Sequence, residues 1–332
     1  MASTCATGCN KIAKWNGSTW SALGTGVNDT VRALAYDNSG NVYAGGMFLN
    51  AGGDANADRI AKWDGSTWSA LGTGMNGTVY ALLYSGGSLY AGGSFTTAGT
   101  CTSNCIRIAR WIGTGWQNIR NGFNNTVYTI LYHNGNILAG GAFTATSDGD
   151  AALNRIARWN NLAWSPYGDG LDNTVYALGL SSTNKPVAGG AFINASGNPN
   201  ADALAQWDDC AWNLVGSNTA TSCQETDGLN NYGYALAKDN NGNLYVGGEF
   251  TAAGNCVTDC KRIAKWNGTN WSGLGTGLNA QVWALAKDGS GNIYAGGSFT
   301  DADGNPSADR IAKWDDSTQE WIALGSGLNN TV

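Results

Sequence analysis

The chain has 332 residues, 49 of them glycine, with only 13% charged and a net charge of −6. So much glycine and so little charge exclude a helical bundle, and without a cluster of Lys and Arg to follow a phosphate backbone the sequence excludes nucleic acid as a partner. No apolar run reaches the roughly 18 residues of a membrane helix, while 15 tryptophans and 42% hydrophobic residues can fill a sizeable core.

Taken from the N-terminus, Met1-Ala2-Ser3 reads as an expression start from which any leader has been removed. Cys5 and Cys9 follow, just before Lys11-Ile12-Ala13-Lys14-Trp15 and a second tryptophan at 20. That phrase recurs. The equivalent first tryptophans are Trp15, Trp63, Trp111, Trp159, Trp207, Trp266 and Trp314, at steps of 48 residues except one of 59. Interleaved with it is a second phrase, ending in glycine pairs at 45–46, 92–93, 140–141, 189–190, 247–248 and 296–297. The first full period predicts four short strands over Val31–Tyr36, Asn41–Gly46, Arg59–Trp63 and Trp68–Leu71. They are rich in β-branched and aromatic residues and are separated by Asn/Asp/Gly turns, the pattern of an antiparallel meander. No segment reads as a helix.

Four strands repeated at a fixed period predict an all-β fold, a β-propeller of four-stranded antiparallel blades. The expected single domain spans 1–332, with blades at 27–74, 75–122, 123–170, 171–229, 230–277 and 278–332. Residues 1–26 form a surplus half-blade holding the third and fourth strands only. Six blades with that half displaced or exchanged are expected ahead of seven positions with one incomplete. The free edge of the half-blade makes self-association by strand exchange an expectation.

The Gly-Gly pair at the end of the second strand, Trp63-Asp64 closing the third and Trp68 opening the fourth resemble the kelch repeat, with Trp where kelch repeats usually carry Tyr. The pattern is also similar to glycine-rich propeller repeats of secreted bacterial proteins. The single histidine, His133, leaves no room for a repeated Gly-His signature or for the several His ligands of the copper oxidases related to kelch proteins.

The eight cysteines fall as Cys5/Cys9, Cys101/Cys105, Cys256/Cys260 and Cys210/Cys223. Two thiolates per site and one histidine in the chain do not make tetrahedral zinc sites. Disulfides are expected instead, with connectivity left open by the sequence, and they imply an oxidising, secreted or cell-surface location.

In a propeller, the loops joining the second to the third strand and the fourth to the next first strand share a face. The insertion at 217–230 departs from the repeat on that face and marks Gln224, Glu225, Asp227 and neighbouring Tyr232 as candidate ligand-binding residues. Trp283, outside the repeat pattern on an inner strand, joins them. The loop Asp301, Asp303, Asn305, Ser307, Asp309 spaces oxygen ligands as Ca²⁺ prefers; the alternative is a loop whose side chains bond their own backbone. The repeated tryptophan pairs are expected to pack blades rather than bind sugars. His133 is expected to be exposed in a turn. Glutamate occurs only at 225, 249 and 320, so a hydrolase would rest on Glu249 and a loop aspartate. The expected function is therefore a non-catalytic extracellular module for adhesion, binding a glycan (carbohydrate) or a protein surface. A self-assembling surface-layer repeat and a polysaccharide hydrolase or lyase are the alternatives.

Overall fold

The computed structural model describes residues 9–149, 151–195, 201–208, 211–215, 228–325 and 327–328. Two compact units divide the chain, at Ser3–Tyr167 and at Gly168–Val332.

In the first unit, β1 (Ala13–Trp15) and β2 (Trp20–Ala22) form a two-stranded half-blade. The first blade is β3 (Val31–Tyr36), β4 (Val42–Gly46), β5 (Ile60–Trp63) and β6 (Trp68–Ala70). The second is β7 (Val79–Ser85), β8 (Ser88–Gly93), β9 (Ile108–Trp111) and β10 (Trp116–Asn118), and the third is β11 (Val127–His133), β12 (Asn136–Gly141), β13 (Ile156–Trp159) and β14 (Trp164–Pro166). The other unit holds β15 (Val175–Leu180), β16 (Pro186–Gly190), β17 (Leu204–Trp207) and β18 (Trp212–Leu214) as its first blade. It continues with β19 (Gly233–Lys238), β20 (Leu244–Gly248), β21 (Ile263–Trp266) and β22 (Trp271–Ser272), then β23 (Val282–Lys287), β24 (Ile293–Gly297), β25 (Ile311–Asp315) and β26 (Glu320–Ala323). Among the described residues these make six four-stranded antiparallel sheets in sequential order, the β-propeller blades that the repeat predicts. A short 3-10 turn at Ala51–Gly53 interrupts the strands of the first blade.

Local chemistry sets each turn. After β3, Asp37 Oδ1 accepts the backbone N–H groups of Ser39 and Asn41, and its Oδ2 accepts from the Asn41 amide and the Tyr43 hydroxyl. Asp239 and Asp288 repeat this network. Between the third and fourth strands, Asp64 caps the N–H groups of Ser66 and Thr67, and Gly65 takes the left-handed φ of +104° that the turn requires.

The cores lie between successive blades. Tyr43 and Ile60 of one blade cluster with Val79, Leu89 and Phe95 of the next. The approach is close enough to require glycine: a Cβ on Gly45 would stand 2.6 Å from a methyl of Val79. The tryptophan pairs pack as expected. Trp63 and Trp68 lie 5.4 Å apart, and the Trp68 indole donates to the Leu23 carbonyl of the preceding half-blade. Trp116, Trp164 and Trp321 repeat the bond onto Leu71, Ile119 and Leu274.

Candidate functional site

The first strand of every blade carries the same irregularity. In β3, Val31 pairs with Gly46 and Ala33 with Gly45, so the residue between them is bulged out of the ladder. The same shift occurs between Val79 and Ala81, Val127 and Thr129, Val175 and Ala177, Gly233 and Ala235, and Val282 and Ala284. A bulge leaves its residue unpaired and re-aims its side chain. The bulged residues are Arg32, Tyr80, Tyr128, Tyr176, Tyr234 and Trp283. Five of the six are aromatic, and they sit at the strand end that meets the glycine pair and the loop after it.

In the first unit, Tyr80 and Tyr128 meet edge to face at 5.1 Å. In the second, the row is denser. Tyr234 stacks on Trp283 at 4.6 Å with 25° between planes and meets Tyr176 edge-on at 5.5 Å. Tyr232 adds a fourth ring, 6.2 Å from Tyr234. Trp283 and Tyr232 each keep 41% of their surface exposed, an unusual investment for large aromatic residues in a rigid sheet.

Polar groups converge on the same row. The Tyr234 hydroxyl donates to Glu249 Oε2 at 2.8 Å, and the Gln281 amide donates to Glu249 Oε1 at 3.4 Å. Gln281 in turn accepts from the Ser298 hydroxyl at 2.8 Å. Glu249 follows the pair Gly247-Gly248, and its backbone is fixed from both sides: its N–H donates to Tyr232 O, and Arg262 donates to its carbonyl. Burial, followed by the hydrogen bond to Glu249 and the charge of that carboxyl, pushes the Tyr234 hydroxyl well above the ordinary tyrosine value. Tyr234 therefore stays protonated and acts as a donor throughout the physiological range.

The repeated arginines have a structural task. Arg107, Arg155, Arg262 and Arg310 adopt left-handed φ of 65–70° and donate to the carbonyls of Ser94, Ala142, Glu249 and Ser298. Each fixes the residue after a glycine pair.

Of the sequence-predicted residues, the structure brings Trp283, Tyr232 and Glu249 together around Tyr234. Gln224, Glu225 and Asp227 lie outside the described residues, as do Cys5, Cys210 and Cys223. Cys101–Cys105 and Cys256–Cys260 are disulfides. In the loop considered for calcium, Asp303 Oδ1 accepts from the backbone and hydroxyl of Thr276, and Asn305 Oδ1 accepts from the N–H of Ser307. Asp301 and Asp309 each keep one buried oxygen without a hydrogen-bond partner. Among the described residues, no three acidic, His or Cys side chains converge. Asp303 and Asn305 thus use one side-chain oxygen each for hydrogen bonds with Thr276 and Ser307. His133 ends β11 half-buried, opposite Asn136, where an exposed turn residue was expected. Tyr176, Tyr234, Gln281 and Ser298 escape the sequence reading. The visible signal was the aromatic second position of the first strand in five repeats, which strand alternation alone does not distinguish.

No family model matches the chain, and no curated protein matches it. Solved structures share its fold. The extracellular domain of a proposed one-component system from B. thetaiotaomicron matches with a TM-score of 0.57 and 14% identity over 91% of this chain, which spans 35% of that protein. A chain of the mitotic checkpoint complex matches at 0.56 and 16%, covering 92% of this chain and 81% of its own. Virginiamycin B lyase from Staphylococcus aureus matches at 0.52 and 14%, covering 86% and 81%. At these identities the likeness establishes the β-propeller fold alone.

Proposed function

We propose that this chain is an extracellular, non-catalytic module that binds glycans on the Tyr176–Tyr234–Trp283 row. The observation that carries the reading is the 41% exposed Trp283 stacked on Tyr234, which itself hydrogen-bonds Glu249. An exposed indole face offers an apolar platform to the C–H face of a sugar ring, and Glu249 and Gln281 beside it offer an acceptor and a donor for hydroxyls. The bulges place these groups on rigid strands, so little ordering entropy opposes binding. Calcium has no part in this reading. Two disulfides and the extracellular-domain neighbour fit an extracellular location, and no helix among the described residues is long and apolar enough to cross a membrane. The kelch likeness is supported by where its residues fall: Gly-Gly ends the second strand, Trp closes the third and Trp opens the fourth.

The test is a glycan array followed by calorimetry on the strongest hit, comparing the wild type with Trp283→Ala and Tyr234→Phe. Removing the indole should weaken binding roughly tenfold or more, as truncating an aromatic anchor does, and Tyr234→Phe should weaken it less. A blank array overturns the glycan reading in favour of a protein ligand. Polysaccharide cleavage that disappears in Glu249→Gln would replace it with a hydrolase or lyase.

A further inference from the structure

A second surface, independent of the aromatic row, lies in the first unit. The half-blade strand β1 pairs with β2 on one edge. In each complete blade the other edge of the equivalent strand is taken by the strand that ends in Gly-Gly: β4 pairs with β5 through Gly45↔Ile60, and β8 with β9 through Gly92↔Ile108. Among the described residues, nothing pairs with that edge of β1.

The side chains around this edge are more exposed than their equivalents. Ile60, Ala61, Ile108 and Ala109 are completely buried, whereas Ile12 and Ala13 are only half-buried. Val79 and Val127 are completely buried, whereas Val31 is half-buried. Leu34 is 56% exposed and Tyr36 77%. Two observations meet here. In the first blade the strand β4 does two things at once: it completes the ladder beside β5, and its Gly45 slides beneath Val79 and Leu82 of the next blade. The half-blade leaves both an open ladder edge and an uncovered Val31–Leu34 pair, arranged for one strand to satisfy together.

We propose that β1 and the Val31–Leu34–Tyr36 face form a docking surface for a two-stranded β-hairpin. The hairpin carries the repeat's own first-and-second-strand pattern and ends in Gly-Gly. The second strand of the guest pairs antiparallel with β1, and its glycine pair lies under Val31 and Leu34, where any side chain would clash. Its first strand continues the sheet. A second copy of this chain does not offer such a hairpin, because in all six described blades the equivalent strands already pair with their own third strand. The guest is therefore an unpaired hairpin bearing the repeat pattern, bound by strand addition.

The experiment adds a synthetic hairpin of residues 79–95, with a solubilising Lys tail, to the intact protein and follows amide hydrogen exchange. Binding should slow exchange at Ala13 and Trp15 by about tenfold or more, since paired edge amides exchange through opening only. The same peptide with Gly92→Val should not bind. The protein variant Leu34→Glu, at a position exposed enough to keep the fold, should lose the response. No slowing at β1 at millimolar peptide overturns the proposal, as does equal binding of the Gly92→Val peptide. Protection of β1 by dimerisation, with no response to the hairpin, would assign the surface to a second copy instead.

Discussion

The Trp68 indole nitrogen donates to the Leu23 carbonyl at 2.8 Å, across 45 residues of sequence and from one blade to the one before it. The bond explains why the repeat needs Trp at this place and not merely an aromatic. The ring fills the space between blades, and its single donor satisfies a carbonyl that the packing removes from water. Trp116 makes the same bond to Leu71 at 2.9 Å. Trp116→Phe keeps most of the ring and leaves that carbonyl unpaired, so a loss of about 1–3 kcal/mol is expected. Guanidinium denaturation should show it as a lower midpoint, with glycan binding of the folded protein unchanged.

The loop clamp gives a second expectation. Asn76 Oδ1 accepts the N–H groups of Thr96 and Thr97 at 2.8 and 3.0 Å, and its amide donates to the Thr96 hydroxyl. Asn124 and Asn230 do the same in their blades. Asn76→Ala should cost about 1 kcal/mol, because the freed groups are near solvent and find water. Faster hydrogen exchange confined to the loop after β8 would check it.

Acid stability should carry two contributions of opposite sign. At Asp37, burial pushes the pKa up, but hydrogen bonds from Asn41, Ser39 and Tyr43 outweigh it, and the net value lies below the ordinary one. The folded state then holds that proton more weakly than the unfolded chain. Its stabilisation is present above the ordinary carboxylate value of about 4 and is lost as pH falls through the folded value. At Asp202, burial and then the charge of Asp172 raise the pKa. Ionised Asp202 therefore destabilises the fold at neutral pH, and stability is recovered as pH falls through its raised value. Melting temperature measured against pH should respond accordingly: Asp202→Asn flattens the rise on mild acidification, and Asp37→Asn flattens the later fall.

Reduction should act locally. Each disulfide joins cysteines only four apart, so opening one restores little chain entropy, of order 2 kcal/mol. Dithiothreitol should lower the midpoint modestly and loosen the loops at 101–105 and 256–260 while the sheets persist by circular dichroism.

The period, the strand positions, the glycine pairs and the packing role of the tryptophans were legible in the sequence, because each follows from local spacing and turn chemistry. The bulges were not. An extra residue in one strand is defined by the register of its partner, and Val31-Arg32-Ala33 looks like plain alternation until Gly45 and Gly46 are placed opposite it. The Glu249 cluster was half legible: a scarce glutamate and an unusual tryptophan stood out, but Tyr234 and Gln281 reach Glu249, and Ser298 reaches Gln281, only after two neighbouring blades are folded together. In the loop at 301–309 the ligand spacing was legible but the side-chain directions were not, since the Thr276 hydroxyl that donates to Asp303 is 27 residues away in sequence.

The Trp68–Leu23 bond also has a mechanical consequence. Each such contact reaches back only one blade, so a pulling force along the chain strains one blade boundary at a time. Stretched from its ends, the protein should give way in steps rather than all at once. With a repeat of 48 residues, each rupture would release about 160–170 Å of extended chain, a ruler for counting blades one molecule at a time.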